Sequence, residues 1–527
     1  MDYRILFEFQ AIVVPVYILG LLIITFFLTL YCFKSIFKFI SKYFTKLNLI
    51  YLIIIILLAF LIRFYVYAPN HGLVINELSH INAAKNFLET GRMELCNYNL
   101  ELEKVCRLYS NPKGWATILS IFFFFSQVTS ANSVFLAQLF GIIFVIAFYV
   151  YTFLIFKRKE IAFFSSFILL NFPLLNAWTN TAETNISSLF FIIACFCFLE
   201  LYFIFGKKML FLISNLLFYI AVSIRIEFYL FMLVIVYRIF LNKEKIINFK
   251  FSEKVFLLVF FIINLLISAA NSIIFLKDYQ NNGWYSYVYF VEHVPYEINR
   301  LMNQYYLTYL VLLLSIIGAV FLFIKGRKNF TVFFIWFSLL FSYYTFLYYQ
   351  HQSRYIMHAV VGLIFFASYG LYMIINFSKK RGLFVKAAIL CFILFFFINE
   401  LNFMYKNKDN YLAHNYADYI VYNSIQEDIP SDYIIVNNMP LTITAISNKR
   451  AVNLRSFLDR GNFDNMTKYL FYWDFSCRKY GDDTYNNRFC EEIVNNFELE
   501  EYKIYATEYN TNIFYKIIKR KEQFQNE

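Results

Sequence analysis

The stretch that decides the architecture is LIRFYVYAPNHGLVINELSHINAAKNFLETG, residues 61–91. Its first residues, 61–67, are the end of an apolar run, 48–67, which is long enough to cross a bilayer of about 30 Å hydrocarbon thickness. It then turns polar and continues over Asn76–Thr90 as an amphipathic helix, which Gly91 is placed to end. The apolar stripe of this helix consists of Leu78, Ile81, Ala84 and Leu88. Such a helix, placed directly after a span, is expected to lie on the membrane surface.

The composition of the whole chain extends this interpretation. Of 527 residues, 60% are hydrophobic and 22% aromatic, while only 16% are charged. This balance excludes disorder, a collagen-like or coiled-coil rod, and an ordinary soluble enzyme of this length. The apolar residues gather in segments interpreted as twelve membrane spans: 10–32, 48–67, 133–155, 161–177, 186–205, 209–224, 226–241, 255–276, 304–324, 330–349, 355–377 and 383–403. The sequence therefore predicts a polytopic α-helical membrane protein.

Basic residues orient these spans. Six alternate connectors hold 21 Lys and Arg residues against three acids, and cytoplasmic loops are the ones that retain positive charge. These connectors are 34–46, 157–160, 207–208, 238–254, 325–328 and 379–386. They account for nearly all of the net charge of +12, so no nucleic-acid partner is needed. We predict a multi-pass protein of the plasma (inner) membrane whose chemistry lies on the extracytoplasmic side.

We predict three domains along the chain. Residues 1–47 are an extra N-terminal span with a basic loop, 48–403 a membrane catalytic domain with a long first external loop at 69–132, and 404–527 an extracytoplasmic α/β domain. In the first loop, a helix from Gly114 to about Val128 is too short to span and is expected at the interface. Four elements are predicted in the last domain: a helix at Tyr411–Gln426, strands at Tyr433–Asn437 and Ala451–Leu454, and a hairpin over Glu501–Lys519.

Two pairs of cysteines lie in the external regions. Cys96 and Cys106 are ten residues apart, and Cys477 and Cys490 are thirteen apart. Neither spacing is that of a zinc site, and cysteine pairs outside the cytoplasm are candidate disulfides. We therefore predict two disulfide bridges.

Ionisable residues at the external edges of the spans are the candidates for chemistry. They are Arg63, Glu77 with Asn76 beside it, His80, Glu183, Arg225, Glu227, His351, and Arg354 with Tyr355 beside it. Arg225 and Glu227 interrupt one apolar stretch of about thirty residues, so the chain is expected to turn there and form two short spans. Arginines can contact a phosphate with two hydrogen bonds, and a carboxylate can accept a proton from a hydroxyl. The set suits transfer chemistry on an anionic, lipid-linked substrate.

The order of five motifs resembles a known family. They are LIRFYVYAPNHGLVINELSHINAAKNFLETG (61–91), NPKGW (111–115), FKRKEIAFFSSFILLNFPLLNAWTNTAETNISSLFF (156–191), AVSIRIEFYLF (221–231) and SRYIMHAVVG (353–362). This order is similar to that of the GT-C membrane glycosyltransferases related to protein O-mannosyltransferases and aminoarabinose transferases, glycosyltransferase family 39-like. The resemblance implies a GT-C architecture and transfer of a sugar from a polyprenyl-phosphate carrier to a glycan, lipid or protein acceptor on the outer side.

The resemblance also assigns roles. Asn76-Glu77 occupies the place of an acidic pair, usually Asp-Glu, so Glu77 is the candidate base for the acceptor, although Asn76 replaces the first acid. Glu183 falls within two positions of a second acidic site, and Asn185 aligns there equally well. Glu77 and Glu183 are therefore the catalytic candidates. The substrate-binding candidates are Asn76, Arg63, His80, Asn185, Arg225, Glu227, Arg354 and Tyr355.

Alternatives stay open for these residues. Glu77 could simply compensate a helix dipole, Arg63 could be an interfacial anchor, and Arg225 could pair with Glu227 across a turn. Arg354 could also be an anchor. His80, His351 and His358 lack HxxxH or HExxH spacing, so structural roles are favoured.

Three other functions compete with the transferase. They are a polysaccharide polymerase or ligase that uses a lipid-diphosphate donor, a lipid-linked-glycan transporter or flippase, and an inactive relative. A transporter predicts internal repeats, and the sequence shows none. The sequence identifies no certain cofactor and leaves a divalent metal open.

Overall fold

The computed structural model describes most of the chain. The described stretches are 8–66, 75–98, 104–244, 258–267, 308–347, 353–378, 428–437, 449–460, 468–473, 484–506 and 511–521, with short pieces at 250–252, at 255 and between 387 and 477. The described helices are α1 Val14–Tyr43, α2 Lys46–Leu61, α3 Ile75–Thr90, α4 Gly114–Phe125, α5 Ser130–Phe156, α6 Lys159–Leu170, α7 Pro173–Thr179, α8 Thr184–Phe205, α9 Lys208–Ile224, α10 Phe231–Leu241, α11 Leu258–Ile267, α12 Tyr309–Lys325, α13 Arg327–Ser342, α14 Ser353–Ser378, α15 Leu454–Arg460 and α16 Thr484–Asn496.

The chain divides into two compact units. The first, called the helical unit, comprises 1–69, 110–115 and 135–408. The second, called the mixed unit, comprises 70–109, 116–134 and 409–527. The mixed unit thus joins most of the first loop to the C-terminal region.

Membrane-spanning character is confirmed for the helical unit. Among the described residues, five helices are long and apolar enough to cross a bilayer: Phe9–Lys34, Lys46–Tyr65, Ser130–Phe156, Thr184–Phe205 and Ile356–Phe377. The pair α6 and α7, bent by 65°, would make a sixth. The other predicted spans are largely helical where they are described, and segments 255–276, 304–324, 330–349 and 383–403 extend beyond the described residues. The number twelve stays a prediction.

Several of these helices are interrupted at polar residues. Helix α9 ends at Ile224, Arg225 takes an extended conformation, and a 3-10 turn at Ile226–Leu230 leads into α10. The expected break in the apolar stretch is therefore confirmed, and its division into two spans stays a prediction. In the described part of the chain, three π-helical turns adjoin other helices: Phe9–Val13, Ile62–Val66 and Tyr343–Leu347. π-helical turns are rare in proteins overall, and those that occur often lie at functional sites.

Helices α12 and α14 pack through glycines. A Cβ added at Gly318 would lie 1.8 Å from the carbonyl oxygen of Phe366, and one at Gly370 would lie 2.2 Å from that of Leu314. The two backbones are therefore closer than any larger residue allows. Small residues at helix interfaces are the usual means of such approach in membranes.

Replacement of Gly318 by alanine is expected to destabilise the helical unit. The added methyl overlaps backbone atoms of α14, and overpacking of this kind costs roughly 1–3 kcal/mol or more. Thermal unfolding of the purified protein in detergent measures the loss. The matched control is Gly20→Ala in α1, where nothing lies within 4 Å of the added atom and the substitution should be neutral or slightly stabilising. Equal melting temperatures for the two variants would contradict the proposed contact.

The described residues of the mixed unit form two sheets. The first is an antiparallel hairpin of β1 Glu94–Tyr98 and β2 Lys104–Leu108, which pairs Cys96 with Cys106. The second has five strands in the order β4-β3-β5-β7-β6. These strands are β3 Ile434–Asn437, β4 Ala451–Asn453, β5 Tyr469–Trp473, β6 Phe497–Ala506 and β7 Thr511–Arg520. Strand β3 runs parallel to β4 and β5, whereas β7 runs antiparallel to β5 and β6.

Much of the predicted C-terminal α/β domain is confirmed. Strands occupy Ile434–Asn437 and Ala451–Asn453, and the terminal hairpin is present. Both disulfides, Cys96–Cys106 and Cys477–Cys490, are formed. Strand β5 was not predicted, because YLFYW shows no alternation of polar and apolar residues and it is buried in the middle of the sheet. The predicted helix at 411–426 lies almost wholly outside the described residues.

One expectation needs correction. Helix α3 begins and ends as predicted, with Gly91 in the left-handed conformation at φ +71°. Its stripe was expected to lie on the membrane surface, but Leu78 is buried in a cluster with residues of the C-terminal sheet. The remaining members of that cluster are Ile425, Ile429, Ile435, Ile443, Ala451, Leu470, Tyr472 and Phe514. Leu78 therefore packs on protein, because the apolar residues of the sheet bury it away from water.

Candidate functional site

The first part of the candidate site is the loop between α7 and α8, residues 180–183, which carries the candidate Glu183. Every residue from 179 to 185 is buried, which is unusual for a polar loop of sequence TNTAETN. Asn180 Oδ1 accepts a hydrogen bond from Gln138 at 3.0 Å. Glu183 is the N-cap residue of α8 and only 3% exposed. Buried polar segments need specific partners, so this loop is held in one conformation.

Arg225 is held by two side chains, Asn185 in the first turn of α8 and Glu227 two residues further along the chain. Its Nη1 donates to Asn185 Oδ1 in the first turn of α8. Its Nε donates to Glu227 Oε1 at 2.8 Å, and Nη2 donates to the same oxygen. The pair is buried, with Arg225 6% and Glu227 8% exposed. The interpretation that Arg225 and Glu227 pair across the break is thus confirmed, and Asn185 joins them.

Two residues that the sequence did not assign to this site extend the network. The hydroxyl of Tyr344, in the π-helical turn after α13, donates to Glu227 Oε1 at 3.2 Å. The same hydroxyl lies 3.3 Å from His358 Nδ1 in α14. His358 is fully buried, and its carbonyl oxygen accepts from Trp336 Nε1 at 3.0 Å. Tyr344 could not be found from sequence, because only the π-helical turn gives it this position.

The NPKGW motif packs across both polar segments. Trp115 is fully buried, and its Nε1 donates to the carbonyl oxygen of Ala182 at 2.5 Å. A Cβ added at Gly114 would lie 2.5 Å from Ser223 Oγ and 2.7 Å from the backbone nitrogen of Ile224, directly before Arg225. Residue 114 must therefore be glycine for the motif to approach the break. This contact brings Lys113 into the region of Glu183 and Arg225.

Lys113 is the basic residue that sequence analysis overlooked. It is fully buried, and burial lowers its pKa to about 7 from its usual value of 10.5. Its Nζ lies 3.5 Å from Oε1 of Gln10, which is also fully buried. Gln10 belongs to the extra N-terminal span, whose helix α1 packs on α9. A lysine is almost never fully buried unless it is paired, so the burial of Lys113 is a signal that only the structure provides.

Arg63 is held on the other side of the same loop. It is fully buried in the π-helical turn after α2, and its Nη1 donates to Asn176 Oδ1. Gly141 of α5 permits this position, since a Cβ there would come within 3.0 Å of Arg63 Nε. An anchor that extends to the interface would be exposed. The anchor interpretation is therefore wrong for this residue.

Glu77 and His80 belong to the mixed unit. Both lie on α3, where Glu77 is fully buried and His80 is 3% exposed. His80 Nδ1 is hydrogen-bonded to the hydroxyl of Tyr109, an arrangement typical of a structural histidine. Removal of the Glu77 carboxylate from water is what a general base needs, but it also fits other roles. The catalytic role of Glu77 remains a prediction.

Some candidates lie beyond the description. Asn76, Arg354 and Tyr355 are placed on helices, but their side chains are outside the described part, as is all of His351. Among the described residues, one group of metal-ligating side chains is close enough to hold an ion, namely Glu94, Cys96 and Cys106. Both of its sulfurs are bonded to each other, so no thiolate is available as a ligand.

Comparison with known proteins identifies the fold. No protein-family model and no curated protein sequence matches the chain. Among solved structures, it is similar to ArnT from Cupriavidus metallidurans bound to undecaprenyl phosphate, with TM-score 0.54, 10% identity, and coverage of 88% of this chain and 98% of that one. The apo state of ArnT gives TM-score 0.53 and 9% identity, with coverage of 88% and 97%.

A second protein shares the same architecture. The oligosaccharyltransferase of Archaeoglobus fulgidus, tethered with an acceptor peptide containing the NVT sequon, gives TM-score 0.52 and 11% identity over 88% of this chain and 70% of that one. Both proteins have the GT-C fold of membrane glycosyltransferases. The chain is therefore a polytopic membrane protein with the GT-C fold, as its motif order predicts.

Proposed function

We propose that the protein is a glycosyltransferase that moves a sugar from a polyprenyl-phosphate donor to an acceptor on the extracytoplasmic side of the plasma membrane. The observation that carries this proposal is the set of buried cations in the helical unit. Arg63, Lys113 and Arg225 all lie away from water on segments that contact one another. Cations held away from water are costly unless they are compensated, and a phosphate suits arginine and lysine side chains because it accepts charge-assisted hydrogen bonds from them.

The residues have distinct proposed roles. Arg225 and Lys113 neutralise the phosphate that leaves with the carrier lipid. Glu183, at the N-cap of α8, orients donor or acceptor, and Glu77 accepts the proton of the attacking hydroxyl. The ArnT structure, which contains undecaprenyl phosphate, supports a polyprenyl monophosphate as the carrier. The motif order around Glu77 supports its role as a base.

Replacement of Glu77 by glutamine is expected to reduce turnover by about 10²-fold or more, because the amide cannot accept the proton. Purified protein is incubated with polyprenyl-monophosphate and polyprenyl-diphosphate sugars, and release of free carrier lipid is followed. Release from the monophosphate donor is the expected result for the wild type. The matched control is Glu89→Gln, an exposed carboxylate on the same helix.

Each other result points to a different conclusion. Release from the diphosphate donor alone would favour a polymerase or ligase. Full turnover by a folded Glu77→Gln variant would remove the proposed base. No release from either donor by folded wild-type protein would favour a transporter or an inactive relative.

A further inference from the structure

The C-terminal sheet makes direct contact with the helix that carries Glu77. Leu78, the next residue, is 3% exposed and lies in a cluster with residues from β3, β4, β5 and β7. Phe514 of this cluster stacks on Tyr472 with ring centroids 4.2 Å apart. Leu78, in the first turn of α3, is therefore part of the apolar core of this sheet.

The following turns of α3 are held by the disulfide hairpin. Asn82 Oδ1 accepts from the backbone nitrogen of Cys96 at 2.9 Å, and Asn82 Nδ2 donates to the carbonyl oxygen of Cys96 at 3.2 Å. One turn later, Asn86 Nδ2 donates to the carbonyl oxygen of Glu94 at 3.1 Å. The two amides bond the backbone of β1 as a neighbouring strand would. Helix α3 is thus fixed at successive turns, first by the sheet and then by the hairpin.

We propose that the C-terminal domain acts as a positioning element, with Leu78 as the residue through which the sheet fixes Glu77. This inference rests on the proposed function. A side chain anchored in a close-packed core cannot move by even an ångström without loss of contacts. Because Leu78 and Glu77 are adjacent in the first turn, the packing of one sets the position of the other. The C-terminal domain therefore needs no catalytic group of its own to be essential for turnover.

Truncation of Leu78 to alanine tests the proposal. In the full-length protein, kcat is expected to fall about 10- to 100-fold, because small misplacements of a catalytic group have effects of this size. The KM for the lipid-linked donor should stay unchanged. Leu78→Met, which conserves volume, should keep wild-type turnover. The matched control is Leu88→Ala on the same helix, where the side chain is 37% exposed.

Hydrogen exchange provides a readout that does not depend on activity. The amides of 77–90 should exchange faster in Leu78→Ala than in the wild type or in Leu88→Ala. If Leu78→Ala does not accumulate, Phe514→Leu removes contacts from the sheet side and should give the same two effects. Unchanged exchange in α3 would overturn the anchor. Faster exchange with unchanged kcat would overturn the positioning role.

Failure of the proposed function gives a different pattern. If folded wild-type protein releases no carrier lipid from any donor, the glycosyltransferase proposal fails and positioning for catalysis fails with it. Faster exchange of 77–90 in Leu78→Ala would then still show that the sheet anchors the helix. Active wild type with kcat unaffected by Leu78→Ala would instead reject the positioning role alone.

Discussion

Replacement of Arg225 by methionine is expected to abolish transfer, with turnover at least about 10²-fold below wild type. Arg225 makes three hydrogen bonds, two to Glu227 and one to Asn185, and it is 6% exposed. Its removal leaves Glu227 buried without its charge partner, which costs about 3–5 kcal/mol of stability. The single variant therefore cannot separate a structural role from contact with the donor phosphate.

A double replacement separates the two roles. In Arg225→Met with Glu227→Leu, no buried charge is left unpaired, and replacement of a buried ion pair by apolar residues is often neutral or stabilising. Thermal stability is expected to return to the wild-type value while turnover stays lost. Arg225→Lys should also lose most activity, because an ammonium cannot reproduce the planar fork of a guanidinium.

The protein contains a matched control for this experiment. Arg238 and Glu200 form a second buried ion pair, with Arg238 Nε donating to Glu200 Oε1 at 2.7 Å. This pair joins α8, whose Asn185 contacts Arg225, to α10, which follows the break at Arg225. Arg238→Met with Glu200→Leu should keep both stability and turnover. Wild-type turnover in the Arg225/Glu227 double variant would show that this pair is structural only.

Sequence patterns predicted the fold where one physical signal dominates. Long apolar runs located the spans, because no other structure hides so many Phe and Leu residues. The interruption at Arg225 located the break between α9 and α10, since charges in hydrocarbon are costly. Cysteine spacing predicted both disulfides. Strand β5 was not predicted, because its sequence shows neither an alternation of polar and apolar residues nor a turn signal.

The site was predicted less completely, for reasons that are also physical. Arg63, Glu183 and Arg225 stand out because charge at the end of an apolar run is rare. Lys113 follows a polar stretch, where a lysine is ordinary, and only tertiary packing buries it. Tyr344 is one of 44 tyrosines, and its selection depends on a π-helical turn. The contact of Leu78 with the C-terminal sheet joins positions more than 340 residues apart, which hydrophobic periodicity cannot reveal.

Carrier binding is expected to depend on pH through Lys113. Burial lowers the pKa of Lys113 to about 7, so the side chain is largely neutral above that pH in the unliganded protein. A phosphate favours the charged form, so binding above pH 7 requires uptake of one proton. Affinity for polyprenyl phosphate should therefore fall by about tenfold per pH unit between pH 7 and 9. Equilibrium binding in detergent, measured across this range, gives the slope.

Two variants test whether the pH dependence of carrier binding comes from Lys113. Lys113→Met should bind weakly at every pH. Lys113→Arg keeps its charge at all these pH values and should bind without the tenfold dependence. The titration of the phosphate itself, near pH 6, is common to all variants and cancels in the comparison. A wild-type affinity that is flat from pH 7 to 9, or an equal slope in Lys113→Arg, would contradict the role of Lys113.

The titration of Lys113 should also make the stability of the unliganded protein depend on pH, and the direction of this dependence can be predicted. The pKa of Lys113 is lower in the folded state, about 7, than its ordinary value of 10.5. Between these values the unfolded chain binds one more proton than the folded protein, so the contribution of Lys113 to stability rises with pH through this window. Lys113→Met lacks this contribution, and its stability relative to wild type should be greatest near pH 7 and smallest near pH 10. Unfolding measured at both pH values tests the sign independently of any substrate.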